Sequence, residues 1–341
     1  MKTLKEFKAE QMKDKEFARA YEECHAMPLF NDAIPLTDTK YFPDFTQSFI
    51  QTDTNVFINT LYKLVPGKPP VLLLHGHPET HLIWRFMANK LTKYYSVIMT
   101  DLRGYGDSSK PQGLPDHSNY SKRIMAQDQI AVMEELGFSS FHIVAHDRGA
   151  RVAHRLIADH PQAAMSCTLM DILPTYEMYE DTNKEFATAY YHWFLYIQPH
   201  GLPEKLLAAD PDFFIHFNLD KKVSPAARHR FSEDVLNEYI RCFSDPKTVH
   251  GIAEDYRASA SIDIQYDVED IKNNVILHTP LLVLWGNNGI VGKLWDVVAG
   301  WKEKASNVVG YGIPDCGHFV PEEQPEFVLE KLLPFLRSYD K

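Results

Sequence analysis

The amino-acid sequence predicts an α/β fold, in which a mostly parallel sheet carries helices on both faces and one inserted helical block. Short apolar runs such as 71–74 and 141–145 alternate with segments of helical character. Uninterrupted aliphatic runs of this length are typical of strands buried on both faces of a parallel sheet. The alternation stops after Asp171 and resumes at 281–286. This interruption indicates an insertion between two parts of one sheet.

The predicted elements follow in order along the chain. After two plausible strands from about residue 45, the apolar runs predict strands at 71–74, 95–99, 141–145, 166–170, 281–286 and near 308–309. Helices are expected to end near residue 91, to cover 121–136, to end near residue 160 and to cover 325–337. We therefore divide the chain into a helical extension (1–44), a core domain (45–172 and 271–341) and a helical cap (173–270).

The composition excludes several classes of protein. The chain has 341 residues, with 46 acidic and 35 basic side chains, and its net charge is −11. Such a chain has no basic surplus for nucleic-acid phosphates or an anionic membrane. Its start lacks the apolar region of a secretory signal, and no apolar run is long enough to span a bilayer. We expect a cytoplasmic protein, in which two local arginines would suffice to bind a small anion.

The cysteines predict neither a disulfide framework nor a zinc site. The chain contains four of them, and no two are close in sequence: Cys24, Cys167, Cys242 and Cys316. Disulfide-rich domains and zinc sites usually show closely spaced cysteines. Reduced, buried thiols are therefore expected.

The most informative turn lies where the predicted strand 141–145 meets the following helix. It places Asp147 between small residues, with Ala145 two residues before it and Gly149 two residues after it. A sharp turn of this kind lifts its central side chain into the open and directs backbone N–H groups towards it. A carboxylate at this position can displace a leaving group from an sp³ carbon, which favours an alkyl halide or an epoxide over an ester. The alternative is that Asp147 only caps the helix.

Two further strand ends supply partners for such a nucleophile. Asp171 ends the strand 166–170, and His318 follows the last strand. The order Asp147, Asp171, His318 is the chain order of nucleophile, acid and histidine in α/β-hydrolases. The stretch 285–289, where many of these enzymes carry the acid, contains no carboxylate. With 16 histidines in the chain, a core or surface role is the alternative for any single one, and only its position distinguishes His318.

The loop after the first buried strand fits an oxyanion hole. It contains His75, Gly76, His77 and Pro78. The backbone N–H of His77 in this loop and that of Arg148 would bind a developing negative charge. The alternative is a metal site built from the histidines at positions 75, 77 and 81, although the sequence lacks the acidic residue and further histidine that commonly complete such a motif.

Charged and aromatic residues suggest an anion site near Asp147. Arg148 and Arg151 lie three residues apart on the predicted helix, and their planar forks suit a carboxylate. They would also lower the pKa of Asp147. The alternatives are that they point to solvent or pair with an acid. In the cap, His192 and Trp193 offer N–H donors that suit a halide, whereas ordinary aromatic packing is the alternative.

These motifs together resemble those of the fluoroacetate/haloacetate dehalogenases within the α/β-hydrolases. The similar segments cover about residues 45–338, and they are 75–81, 101–106, 146–151, 171–177, 191–193, 210–213, 254–258 and 317–319. The resemblance implies an eight-stranded sheet with a helical cap, and a homodimer. It departs at His77, where the family commonly has Phe, and near Lys221 and Lys222, where a cap Trp is replaced.

The resemblance also implies roles for individual residues. Asp147 would be the nucleophile, His318 the base and Asp171 its orienting acid. Arg148 and Arg151 would hold the substrate carboxylate. The halide would be bound by three cap residues: His192, Trp193 and Tyr256.

The sequence therefore predicts hydrolysis of haloacetates or related 2-haloacids to 2-hydroxyacids through an aspartyl ester. This chemistry requires neither a metal nor an organic cofactor. An epoxide hydrolase with the same nucleophile is the alternative enzyme, and it would need two cap tyrosines. The paired arginines and the His192–Trp193 pair weigh against it. A non-catalytic binding protein and a metal hydrolase are further alternatives.

Overall fold

The computed structural model describes residues 35–340 and contains the predicted α/β sheet. Eight strands of the described part form one sheet in the order β1-β2-β4-β3-β5-β6-β7-β8. They are β1 (Thr46–Asp53), β2 (Val56–Lys63), β3 (Pro70–Leu74), β4 (Ser96–Thr100), β5 (Phe141–His146), β6 (Ala164–Met170), β7 (Leu281–Gly286) and β8 (Val308–Ile313). The pairs β1–β2 and β2–β4 are antiparallel, and all others are parallel.

Burial explains why the aliphatic runs form the centre of the sheet. Every residue of β3, β4 and β5 is buried, whereas β1 and β8 at the edges are largely exposed or half-buried. Helices cover both faces of a parallel sheet, so its central strands cannot alternate polar and apolar residues. The predicted fold class is confirmed.

Helices of the core domain connect these strands. They are α1 (Leu36–Tyr41), α2 (Ala88–Leu91), α3 (Lys122–Glu135), α4 (Asp147–Asp159), α13 (Ile290–Leu294), α14 (Val297–Lys302), α15 (Val320–Glu323) and α16 (Pro325–Arg337). Short 3₁₀ segments occur at His81–Phe86, Ser118–Tyr120 and Pro161–Ala163. The helices expected at 121–136 and 325–337 lie at those positions.

The chain between β6 and β7 is helical, as expected for the cap. Its helices are α5 (Thr175–Glu180), α6 (Lys184–Ala189), α7 (Tyr191–Tyr196), α8 (Leu202–Leu207), α9 (Pro211–Lys222), α10 (Glu233–Phe243), α11 (Pro246–Ser259) and α12 (Ile262–Lys272), with a 3₁₀ segment at Pro225–Arg230. Side chains of this region contact residues at the carboxyl ends of the strands, as described below. The division into extension, core and cap stays a prediction.

The described part of the extension packs against both the core and the cap. Asp38 accepts a hydrogen bond from His81, and Lys40 donates one to Asp234. Residues 1–34, which include most of the predicted extension, and Cys24 lie outside the described residues. Cys167, Cys242 and Cys316 are buried free thiols, as expected.

None of the helices within 35–340 is both long and apolar enough to cross a membrane.

Candidate active site

Asp147 lies at a sharp turn between β5 and α4. Its backbone adopts the left-handed region, with φ of 46°, which is uncommon for a residue other than glycine and costs conformational energy. The turn also needs glycine nearby. A Cβ on Gly149 would lie 2.4 Å from the carbonyl oxygen of His75, and one on Gly76 would lie 2.5 Å from Cβ of Asp147. The geometry therefore places Asp147 at a strained turn of the kind that carries nucleophiles.

The three residues expected to form a triad meet at this turn. Nδ1 of His318 lies 2.6 Å from Oδ2 of Asp171, and Nε2 of the same ring lies 3.7 Å from Oδ2 of Asp147. The short contact places a proton on Nδ1, which leaves Nε2 as an acceptor facing Asp147. Asp171 is held by the backbone N–H of Gly286. His318 thus lies between Asp171, its orienting acid, and the carboxylate of Asp147.

Burial and neighbouring charges set the pKa values of this group. Burial alone would raise the pKa of Asp147, but His318 and His146 in their protonated forms and the permanent charge of Arg148 hold it well below its usual range. Burial lowers the pKa of His318 and raises that of Asp171 to about 7. Asp147 is therefore ionised and His318 neutral at neutral pH, as a nucleophile and a base require.

One of the two predicted backbone donors contacts the Asp147 carboxylate. The N–H of His77 donates to Oδ1 of Asp147 over 2.9 Å. The N–H of Arg148 belongs to the first turn of α4, where N–H groups have no acceptor within the helix. The oxyanion hole formed by these two groups stays a prediction.

The His77 side chain occupies a ring cluster. Its Nε2 lies 3.2 Å from the hydroxyl of Tyr196, and its ring stacks 6.0 Å from that of His192. Burial lowers its pKa well below the usual value, so the ring is neutral. His77, at the position where the family commonly has Phe, therefore makes this part of the site more polar without adding a charge.

The three histidines considered for a metal site have separate partners. His75 Nε2 accepts from the N–H of Leu102, and His81 lies between the carboxylates of Asp38 and Asp101. Among residues 35–340, no group of three or more potential ligands from histidine, cysteine, aspartate and glutamate is placed to hold a metal ion.

Arg148 is buried and already engaged with an acid. Its Nε and Nη2 lie 2.8 and 2.9 Å from the two carboxylate oxygens of Asp255 on α11. Its guanidinium carbon also lies 4.0 Å from the ring centroid of Tyr256. Of the three guanidinium nitrogens of Arg148, only Nη1 lacks a hydrogen-bond partner among the described residues. Arg148 therefore pairs with an acid, which was the alternative interpretation, and it still has one N–H group free.

Arg151 is buried among neutral partners instead. Its Nη1 donates to the carbonyl oxygen of Leu173 and the hydroxyl of Thr175, at 3.1 and 2.9 Å. Its guanidinium lies 4.6 Å from the Trp193 ring centroid. Burial and the charge of Arg148 lower its pKa to about 10. Arg151 is therefore still charged at neutral pH, and none of these contacts is with a carboxylate. It is suited to bind an anion.

The three cap residues expected at a halide lie together. The ring of Tyr256 lies 5.9 Å from that of His192 and 6.3 Å from that of Trp193, and 5.8 Å from that of His77. Within residues 35–340, Trp193 Nε1, the Tyr256 hydroxyl and His192 Nδ1 are buried and have no hydrogen-bond partner. Buried donors are normally paired, so such a group indicates a place for an acceptor.

The His192 ring is neutral in the structure. Burial and the charge of Lys222 lower its pKa well below the usual value. A neutral ring has a single N–H, so only one of its nitrogens can donate.

Sequence reasoning missed several residues that hold the site. Asp255 pairs with Arg148, and the hydroxyl of Tyr190 lies 3.3 Å from His318 Nδ1. Beneath the triad, Glu79 contacts His146 Nδ1 over 3.1 Å, and His146 Nε2 lies 2.8 Å from the carbonyl oxygen of His318. A buried arginine implies an acidic partner, but the sequence offers 46 acidic residues to choose from.

Comparison with known proteins agrees with the observed fold. The model of the alpha/beta hydrolase fold matches residues 69–325, which is most of the chain. The chain belongs to the α/β-hydrolase family. The match spans β3 to the start of α16, and so includes the three residues that were expected to form a triad.

Two curated relatives narrow the position of the chain within the α/β-hydrolases. A fluoroacetate dehalogenase of Burkholderia sp is 41% identical over 268 residues, which cover 79% of this chain and 87% of the relative. A soluble epoxide hydrolase of Corynebacterium sp. (strain C12) is 30% identical over 270 residues, which cover 78% and 89%. The resemblance to the fluoroacetate/haloacetate dehalogenase family is confirmed.

Solved structures show the same α/β-hydrolase architecture. One described as an alpha/beta hydrolase from Nostoc sp PCC 7120 superposes with a TM-score of 0.83 at 48% identity, over 86% of this chain and 99% of that one. Another, described as an epoxide hydrolase from Pseudomonas aeruginosa, has a TM-score of 0.80 at 38% identity, over 88% and 97%.

Proposed function

We propose that this hydrolase converts haloacetates, or related 2-haloacids, to 2-hydroxyacids through an ester on Asp147. Support comes from the fluoroacetate dehalogenase relative and from the triad geometry. The observation that carries the proposal is the set of buried donors without partners around the Asp147 turn. In the described chain these include Arg148 Nη1, Arg151 Nε, Trp193 Nε1, the Tyr256 hydroxyl and His192 Nδ1.

These donors divide by the charge they can bind. The two guanidinium groups match a carboxylate, which is the part of a haloacid that does not react. The indole, phenol and imidazole donors match a halide, whose charge develops as the carbon–halogen bond breaks. Burial raises the pKa of Tyr256 well above its usual value, so its hydroxyl keeps the proton that it donates.

In the first step, an Asp147 oxygen attacks the carbon that bears the halogen. A carbon–oxygen bond forms, the carbon–halogen bond breaks and halide departs with the electron pair. The product is an ester between Asp147 and a 2-hydroxyacid. Ionised Asp147 is poised for this step because its pKa is held low.

In the second step, His318 Nε2 takes a proton from water, and the water oxygen attacks the carboxyl carbon of Asp147. The tetrahedral intermediate carries negative charge, which the N–H groups of His77 and Arg148 would stabilise. Its collapse breaks the bond to the substrate oxygen, which takes the remaining proton of the added water, so the 2-hydroxyacid leaves and the Asp147 carboxylate is restored. The proton on His318 passes to solvent, so the sum is haloacid and water giving hydroxyacid, halide and a proton.

Single-turnover hydrolysis of chloroacetate in ¹⁸O-labelled water tests the ester. With enzyme in excess, the label is expected in the Asp147 carboxylate, and glycolate should acquire it only in later turnovers. Label that appears in glycolate during the first turnover, and never in Asp147, would mean that water attacks the substrate directly.

A substrate panel tests the carboxylate. Halide release is expected from fluoroacetate, chloroacetate and 2-halopropionates, and not from neutral haloalkanes of similar size. Equal turnover of neutral and acidic halides would contradict the role of the arginines.

Epoxide hydrolysis is the second candidate, because the soluble epoxide hydrolase relative and two tyrosines favour it. Tyr256 has a free buried hydroxyl in the described structure, and the Tyr190 hydroxyl is close to His318. Two such hydroxyls could protonate an epoxide oxygen. Diol formation from styrene oxide, with no halide release from haloacetates, would establish this activity instead.

We further propose that the enzyme is a cytoplasmic homodimer, as the family resemblance implies. Light scattering coupled to size-exclusion chromatography is expected to give twice the chain mass, and fractionation of cells should recover activity in the cytosol.

A further inference from the structure

Lys222 brings a cation into the ring cluster of the site. Its Nζ lies 3.4 Å from Nε2 of His192 and 5.4 Å from the ring centroid of Tyr190. Its backbone carbonyl accepts from the N–H of His318, over 3.1 Å. Lys222, the last residue of α9, is therefore fixed against both the base and a cap residue expected to contact the halide.

The contact between Lys222 and His192 has a defined direction. An ammonium group has three donors and no acceptor, so its N–H must donate to His192. Burial lowers the pKa of Lys222 to about 8, which still leaves it mainly protonated at pH 7. The ring nitrogen that it meets, Nε2, must then be the unprotonated one.

The other nitrogen of His192 consequently carries the ring proton. Nδ1 is buried and has no partner among the residues of 35–340. Its ring lies near those of Tyr256 and His77, at 5.9 and 6.0 Å. A neutral imidazole alone interconverts between two tautomers, and only one of them offers a donor at Nδ1.

We propose that Lys222 is a positioning residue, which fixes His192 in the Nδ1–H tautomer and so keeps a hydrogen-bond donor in the halide site. The claim that His192 serves the halide site rests on the proposed function, whereas the claim about its tautomer does not. Lys222 acts through His192.

The tautomer can be read in the resting enzyme. In protein labelled with ¹⁵N-histidine, long-range ¹H–¹⁵N correlations at pH 7 are expected to show a protonated Nδ1 and a bare Nε2 for His192, assigned by its loss in His192→Gln. In Lys222→Met, the Nε2–H form should appear. Lys222→Arg, which remains a donor-only cation, should restore the wild-type pattern.

Lys221→Met is the matched control. Lys221 is exposed and donates to the carbonyl oxygen of Thr188, so its loss removes a neighbouring charge without touching His192. This variant should keep the Nδ1–H form. Circular dichroism and thermal unfolding of all three lysine variants would establish that they fold.

Halide binding gives a second readout. Inhibition of chloroacetate turnover by bromide should weaken about tenfold in Lys222→Met, as expected for the loss of one hydrogen bond to a charged group, and recover in Lys222→Arg. The proposal would be overturned if His192 of the wild type were in the Nε2–H form, or if it kept the Nδ1–H form in Lys222→Met. Either result would count even if haloacetates are hydrolysed. Absence of dehalogenation with the expected tautomer would instead contradict the proposed function.

Discussion

Arg148 and Asp255 form a buried ion pair between the first turn of α4 and the cap helix α11. The two carboxylate oxygens lie 2.8 and 2.9 Å from Nε and Nη2 of the guanidinium, and neither side chain is exposed. Asp255 also contacts Lys122 and accepts a hydrogen bond from Tyr105. This carboxylate therefore bridges the side chains of Arg148 and Lys122 next to the nucleophile.

Removal of the Asp255 charge is expected to destabilise the protein. Asp255→Asn leaves Arg148 and Lys122 without their shared carboxylate, which should lower the free energy of unfolding by about 3–5 kcal/mol, measured by urea denaturation. Asp107→Asn is the control, because Asp107 pairs with the half-exposed Arg241 and its loss should cost only about 0–1 kcal/mol. Equal effects of the two variants would contradict the buried-pair interpretation.

Arg151 is expected to contribute to substrate binding more than to folding. Its partners in the protein are neutral, so Arg151→Met leaves no unpaired acid. We expect kcat/KM for chloroacetate to fall about a hundredfold, mainly through KM. Arg155→Met on the same helix, where Arg155 pairs with Asp159 and Asp270, should leave kcat/KM unchanged. A loss confined to kcat would argue against a carboxylate-binding role.

Replacement of the base should separate the two chemical steps. In His318→Gln the first step still proceeds, because Asp147 needs no base, whereas hydrolysis of the ester should slow by about 10³-fold. With chloroacetate, we expect a burst of about one halide ion per active site. Mass spectrometry should then detect a carboxymethyl group on the peptide that contains Asp147. The double variant with Asp147→Asn should show neither. Steady turnover by His318→Gln without a burst would exclude this role.

The pH dependence should report the Asp171–His318 pair. Activity requires the ionised form of Asp171, whose pKa burial raises to about 7. Because His318 and Asp171 act in the hydrolysis of the ester and the deprotonated form is the active one, kcat for chloroacetate should rise with pH through about 7 and then level off, as a property of the pair. A profile that is flat between pH 5 and 8 would contradict this assignment.

Much of the fold and the triad could be predicted because their signals are local. Buried strands appear as aliphatic runs, and the carboxyl ends of parallel strands share one edge of the sheet. Asp147, Asp171 and His318 each follow such a run, so their meeting requires only the fold class. The two contacts of His318 agree with that expectation.

The state of the anion site could not be predicted in the same way. Arg148 was recognised from its position, but its partner Asp255 lies 107 residues further along the chain. Likewise, His192 was recognised as a donor, whereas the pairing with Lys222 decides which nitrogen donates. Both depend on how the cap helices pack against the strand ends.

The sequence by itself determined the α/β architecture, the order of the triad and the residue types around it, because short-range patterns specify strands, helices and turns. Only the tertiary structure decided which donors are consumed by the protein and which remain free for a ligand. Arg148 keeps one free nitrogen and Arg151 another within the described chain. The physical reason is that burial makes every charge and hydrogen bond depend on its neighbours, and those neighbours come from distant parts of the chain.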